Sequence, residues 1–426
     1  MSTTPNPNQL GGAAVQAVSS YSRYIQWGLI LGGLYFFGPG VSIFQYGGYA
    51  VLFFLGMLYY QQDGMLYACS HPSIPKRASQ NPPTFRSPGE RGMEYRTINI
   101  RTADGCILHG WLMTVPGGPA KSKRAPTIVY FHGNAGNLGL RLPLYEEFYF
   151  RLGCNVVAFD YRGYGDSTGK PNELGLQQDA LALRHYIHNE LTEFIDAEKI
   201  ILFGRSLGGS VATWLASQQF TSDTASGDTA SSGNGSGSGS GSSTGTATAS
   251  TPAVSSNSTG IRGLVIENTF MSIGDLALKL FGVLKLVPFL LPLLLKSKWL
   301  AKDDIKKVHV PIMLLSAQLD LLVPPLHMTT LFQNAPDNNE LTRIHRFYLG
   351  GHNDTPIKET EKYYTAFSNY LKDLGLATAP IPKTKVVQDA VAVAAKNAAA
   401  RELSARVAAD NQRKAHDQEA TEGKTD

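Results

Sequence analysis

The stretch that decides the fold is "ILFGRSLGGSVATWLA", Ile201 to Ala216. It opens with an apolar run of strand character, narrows to Gly204-Arg205-Ser206-Leu207-Gly208, and continues as an apolar run of helical character. A serine on a sharp strand-to-helix turn exposes its hydroxyl at the end of a strand. Such a turn crowds neighbouring backbones, and glycines two before and two after the serine remove the side chains that would clash. Ser206 therefore reads as a candidate nucleophile.

A serine hydroxyl attacks only when a base removes its proton, and a carboxylate must orient that base. Downstream of Ser206 the histidines are His309, His327, His345, His352 and His416. His352 follows the strand-like run "RIHRFYLG" after Gly350-Gly351, where a side chain can swing over a sheet edge, and is the chosen base. For the acid, Asp320 lies just past "PIMLLSAQL", with a full loop to aim it at His352. Glu267 in "VIENTF" is the alternative acid, its other reading being a hydrogen-bonding anchor for the loop that follows. A tetrahedral intermediate also needs preorganised donors. The backbone N–H groups of Leu207 and of Asn134, in "HGNAGN", are the expected oxyanion hole. His132 reads as a brace for that loop and Asp160 as a tether for backbone amides.

The rest of the chain supplies the scaffold this chemistry needs. "YRTINIRT" and "CILHGWLMTV" flank Asp104-Gly105, a hairpin turn signal. The near-continuous apolar runs "TIVYFHG", "NVVAFDYRG", "KIILFG", "GLVIENT", "PIMLLSA" and "RIHRFYLG" suit strands buried on both faces of a parallel sheet. Between two of them Leu176, Ala180, Leu183, Ile187 and Leu191 recur at helical spacing. The expectation is an α/β-class chain with an eight-stranded, mostly parallel sheet flanked by helices.

Composition limits the partners. A formal net charge of +4 over 426 residues, without a dense Lys/Arg block, argues against nucleic acid. Three cysteines are too few for a disulfide framework, no CxxC spacing suggests zinc, and no metal or cofactor is expected. From Tyr24 to Gln62 there is no charged side chain. Val41–Tyr60 matches the roughly 20 residues that cross a bilayer. Tyr24–Phe37 is a shorter apolar block, separated by Gly38-Pro39-Gly40. One span or a two-span hairpin both fit.

Residues 221–259 are almost only Ser, Gly, Thr, Ala and Asp, and are expected to form a disordered insertion at the sheet edge opposite the site. Leu276–Ala301 is rich in Leu and Phe and broken by Pro288 and Pro292. It reads as a helix packed on the domain, or as a short cap that forms an acyl pocket or leans on the bilayer. The resulting division is a membrane anchor over 1–62 and a connecting segment over 63–91. A hydrolase-type domain over 92–376 carries the insertion and a cap over 270–308, and an Ala-rich, partly disordered tail follows over 377–426. The tail is a solvated segment or a docking site for a protein partner.

Together "YFHGNAGN", Arg141–Pro143, "FDYRGYGDSTG", "LFGRSLGGSVA", "ENTFMSI", "LDLLVPP" and "GGHNDT" resemble one family. It is that of α/β-hydrolase domain-containing protein 13 and its fungal bud-emergence (Bem46-like) relatives. The resemblance implies an α/β-hydrolase fold and an N-terminally anchored membrane protein of the endomembrane system or plasma membrane. It also implies a serine hydrolase whose triad maps to Ser206, Asp320 and His352. Wider relatives include palmitoyl-protein thioesterases and lysophospholipases, so a lipid or S-acylated protein is the expected substrate. A peptidase of the same mechanism and a non-catalytic membrane scaffold are the competing readings.

Overall fold

Asp104-Gly105 closes an antiparallel hairpin of β1 (Tyr95–Arg101) and β2 (Ile107–Met113), in the register Tyr95↔Met113 to Arg101↔Ile107. The computed structural model describes residues 43–70, 73–218, 260–280, 282–286, 291–336 and 340–383. β2 pairs antiparallel with β4 (Asn155–Phe159). Every later pairing is parallel, through β3 (Thr127–Phe131), β5 (Ile200–Arg205), β6 (Ile261–Glu267), β7 (Ile312–Ala317) and β8 (Arg343–Phe347). The order is β1-β2-β4-β3-β5-β6-β7-β8, an eight-stranded α/β-hydrolase sheet. All residues of β3, β4, β5 and β7 are buried, which is why these strands read as unbroken apolar runs.

Successive side chains alternate between two cores. Val129, Phe131, Leu202, Leu264 and Leu314 face one, while Ile128, Tyr130, Phe203, Val265 and Leu315 face the other. We label the longer helices α1 (Ile43–Leu66), α2 (Leu142–Phe150), α3 (Glu173–Glu190), α4 (Leu207–Ser217), α5 (Ile273–Leu280), α6 (Pro325–Asn334) and α7 (Thr360–Asp373). α3, α4 and α6 line the first core, and α2 and α7 the second. The Asn172 side chain accepts from the Gly175 amide at 2.8 Å and so caps α3. Leu176, Ala180, Leu183 and Ile187 are the buried stripe of that helix.

Of the two apolar blocks at the N-terminus, the described residues include most of the second, in α1. Among the described residues no helix is long and apolar enough to cross a membrane. α1 is 24 residues long, with a polar end at Gln61-Gln62-Asp63. It also runs past residue 62 and docks. Leu55 is buried against Leu284 and Leu291, and Gln62 donates to the Leu294 carbonyl at 2.9 Å and accepts from the Lys296 amide at 2.7 Å. The earlier apolar block, Tyr24–Phe37, lies outside the described residues.

The segment expected as a cap consists of α5 and short single-turn pieces at Gly282–Leu286, Leu291–Leu294, Ala301–Asp304 and Ile305–Lys307. Residue 281 and residues 287–290 lie outside the described set, as does the Ser/Gly insertion over 221–259. The chain re-enters at Gly260, whose carbonyl accepts from the Ile200 amide at 3.2 Å, at the start of β5 and the sheet edge away from Ser206. The described start of the tail makes contacts of its own. The Ile381 amide donates to the Phe150 carbonyl at 2.7 Å and Lys383 pairs with Glu146 at 2.7 Å, so residues 377–383 pack along α2. The tail from 384 onward lies outside the described residues.

Candidate active site

Ser206 links β5 to α4 with φ 53° and ψ −120°, a positive φ at a residue that carries a side chain. Such strain costs on the order of 1–3 kcal/mol and persists only where the surroundings over-determine it. Here they do. The Ser206 amide donates to the Glu267 carbonyl at 2.9 Å, and the Gly209 amide to the Ser206 carbonyl at 3.0 Å. A Cβ on Gly204 would stand 2.2 Å from the Gly208 carbonyl oxygen, and one on Gly208 2.0 Å from that of Phe131. The glycines are the condition for the turn to close.

Asp320 and His352, each just past the end of a strand, are brought together across 32 residues of chain. His352 Nδ1 donates to Asp320 Oδ2 at 2.7 Å. The second oxygen, Oδ1, accepts from the Leu322 and Val323 amides at 2.9 and 2.8 Å, so the carboxylate has no freedom to turn away. That leaves His352 Nε2 as the nitrogen able to take a proton. The Ser206 hydroxyl makes no hydrogen bond to the ring, and such catalytic contacts commonly tighten only when substrate is bound.

The alternative acid, Glu267, lies at the end of β6, completely buried. Its Oε2 accepts from the Tyr363 hydroxyl at 3.3 Å and stands 3.8 Å from Arg205 Nε. Burial raises its carboxyl, and the Arg205 charge opposes that rise. It makes no hydrogen bond to His352.

The loop after β3 passes close to the serine, since a Cβ on Gly133 would lie 3.6 Å from Ser206 Cβ. Next to it is Asn134, whose carbonyl accepts from the Tyr164 hydroxyl at 3.0 Å. Leu207 opens α4, so its amide has no partner within the helix and sits at the positive end of the helix dipole. The buried His132 holds this loop from below. Its Nδ1 donates to the Gly133 carbonyl at 2.7 Å, and its Nε2 accepts from the Tyr161 amide at 3.3 Å. Burial lowers its ring to about 3, so it stays neutral. Asp160 accepts from the Leu138 amide at 3.0 Å, and burial pushes its carboxyl up to about 8.

A family model described as an alpha/beta hydrolase fold matches residues 126–226. The chain is 30% identical over 345 residues to protein bem46 of Schizosaccharomyces pombe, spanning 79% of this chain and 96% of that one. The chain belongs to the Bem46-like α/β-hydrolase family. Within that family it is 29% identical to the α/β-hydrolase domain-containing protein WAV2 of Arabidopsis thaliana, over 78% of this chain and 94% of that one. It is 28% identical to the uncharacterized membrane protein YNL320W of Saccharomyces cerevisiae, over 75% of this chain and 91% of that one. The model match over 126–226 includes the Asn134 loop and Ser206; Asp320 and His352 lie beyond it.

Sequence reasoning missed the groups that hold the histidine turn. Arg205 and Asn268 both donate to the His352 carbonyl, at 2.6 and 3.1 Å. Their only signal was adjacency, Arg205 inside the pentapeptide and Asn268 beside Glu267. Missed too was Ala68, which bridges Ala135 next to Asn134 and brings the chain after α1 to the edge of the site. Among the described residues no group of three or more His, Cys, Asp or Glu side chains is gathered to hold a metal ion.

Proposed function

We propose that this Bem46-like chain is a membrane-associated serine hydrolase that cleaves acyl esters or thioesters through an acyl-enzyme. Ser206 Oγ attacks the acyl carbonyl while His352 Nε2 takes its proton. Asp320 holds the opposite nitrogen and stabilises the imidazolium that forms. The amides of Leu207 and Asn134 receive the oxyanion, a contribution typically worth about 2.7–4 kcal/mol per donor. The imidazolium then protonates the departing alcohol or thiol. In the second half a water, deprotonated by His352, releases the acid and regenerates Ser206.

The observation that carries the reading is the 2.7 Å His352–Asp320 bond, formed beside a serine held in strained geometry. Apolar surface supports the substrate class. Val51, Leu52 and Phe53 of α1 are exposed, and the Leu-rich segment that follows α5 packs against the same helix. A relative described as a membrane protein supports membrane association. The preferred substrate is thus a lipid ester or an S-acylated protein, presented at a bilayer.

A fluorophosphonate probe, which captures activated serines, tests the enzyme claim. The full-length chain is expected to label and Ser206→Ala is not; equal labelling would remove Ser206 as nucleophile. Hydrolysis of a palmitoyl ester or thioester by the labelling-competent protein tests the substrate class. Labelling with no turnover of either would remove the substrate while leaving the nucleophile.

A further inference from the structure

Beneath the candidate triad lies a buried ion pair that the chemistry above does not use. Arg205, the residue before the nucleophile, has a side chain only 9% exposed, and that of Glu267 beside it is fully buried. Burying two charges carries a desolvation cost that an apolar pair of similar size would avoid, so the pair is weak as a stabilising device. Its donors are aimed elsewhere. Arg205 Nη2 donates to the main-chain carbonyl of His352 at 2.6 Å and to Asn353 Oδ1 at 3.2 Å, while Nε faces Glu267 Oε2 at 3.8 Å.

The same His352 carbonyl accepts from Asn268 Nδ2 at 3.1 Å, and Asn268 Oδ1 in turn accepts from the Ala317 amide at 2.9 Å. The histidine turn is thereby tied to the ends of β5, β6 and β7. The histidine's ring is held by Asp320 and its backbone by Arg205, from the residue adjoining Ser206. A guanidinium suits this place because its planar fork reaches two acceptors in fixed directions while facing a carboxylate; an ammonium is a point charge.

We propose that Arg205 is a positioning residue, which locks the backbone of His352 to the nucleophile turn so that the imidazole meets Ser206 in the attacking geometry. Glu267 fixes the guanidinium in turn, and this is its place in the site. The proposal rests on the reading of Ser206 as nucleophile.

The test uses the full-length chain in detergent micelles with a p-nitrophenyl ester. Arg205→Gln is expected to lower kcat by about 10- to 100-fold, the scale of a misplacement on the order of 1 Å, with KM within about threefold of wild type. Arg205→Lys keeps the charge beside Glu267 and so guards against misfolding. It should recover part of kcat, and fluorophosphonate should still label it to completion at a slower rate. Wild-type kcat in a folded Arg205→Lys and Arg205→Gln overturns the proposal, as does a loss confined to KM. If Ser206→Ala retains turnover, the nucleophile reading itself fails, whatever Arg205 does. If Ser206→Ala is dead and Arg205→Gln is fully active, only the positioning role fails.

Discussion

Tyr67 and Trp299, 232 residues apart, share a buried hydrogen bond in which the indole Nε1 donates to the phenol oxygen at 3.0 Å. The same oxygen bonds the Ser297 hydroxyl at 2.8 Å. The end of the N-terminal helix is thus fastened to the end of the Leu-rich segment. Trp299→Phe removes the donor from a buried acceptor and is expected to lower stability by about 1–2 kcal/mol. Urea unfolding followed by far-UV circular dichroism would read it, and an unchanged midpoint would show that the fastening contributes nothing.

The N-terminal segment reaches the site as well, because Ala68 bridges Ala135 beside Asn134. Removing residues 1–69 is therefore expected to do more than detach an anchor. It exposes Leu284 and Leu291 and frees the loop that carries Asn134. Turnover of a soluble ester should fall at least about tenfold in the folded fragment. Full activity of that fragment would show that residues 1–69 contribute nothing to the site.

Glycines separate into two classes that substitution can distinguish. Gly204→Ala and Gly208→Ala place a Cβ within 2.2 and 2.0 Å of backbone oxygen, with no side chain able to move aside. Each is expected to prevent folding or to abolish fluorophosphonate labelling. Gly64, inside α1, has nothing within 4 Å. Gly64→Ala should raise stability by roughly 0.5–1 kcal/mol through helix propensity. Thermal denaturation of the three variants side by side checks both directions.

The two carboxylates are expected to differ in kind. Asp320→Asn loses the acceptor for His352 Nδ1–H, and kcat should drop by about 10³- to 10⁴-fold with little change in KM. Glu267→Gln leaves the Asp320–His352 bond intact and should cost far less, roughly tenfold at most, by loosening Arg205. Steady-state kinetics on a single ester compares them. A larger loss from Glu267→Gln than from Asp320→Asn would exchange their roles.

Asp160 is expected to make stability depend on pH. Its carboxyl is raised from the ordinary 3.8 to about 8 by burial, so the folded protein holds a proton that the unfolded chain releases. The stabilising contribution is complete below about pH 4 and is lost as pH rises toward 8. Asp160→Asn keeps an oxygen for the Leu138 amide and cannot ionise. The fall in urea midpoint between pH 5 and pH 8 is expected to be smaller in this variant than in wild type. An identical slope would show that Asp160 does not hold the proton.

Much of the scaffold was legible because each strand of a buried parallel sheet must be apolar on both faces. The runs from "TIVYF" to "PIMLLSA" therefore announce themselves one at a time, whereas "RIHRF", expected to be buried on both faces, forms the edge strand β8 and buries only Phe347; the helix over Glu173–Glu190 shows its stripe at Leu176, Ala180, Leu183 and Ile187. Ser206 was legible because its turn demands glycine on either side. Harder to read was α1. Its Leu55 and Gln62, with Tyr67 just past its end, have partners more than two hundred residues away.

The sequence by itself determined the elements and the chemistry available at their ends, since periodicity and turn geometry are local properties. It named Ser206, His352 and two eligible acids, with Asp320 favoured. Only the tertiary structure separated Asp320 from Glu267 by contact. Glu267 ends β6 and Asp320 lies just past the end of the neighbouring β7, so spacing along the chain favours the second without excluding the first. In three dimensions β8 delivers His352 to the loop after β7, where Asp320 meets its ring, while Arg205 and Tyr363 occupy Glu267 from the side. Which partner a buried charge finds is settled by the packing of strands against one another, and no short stretch of sequence contains that information.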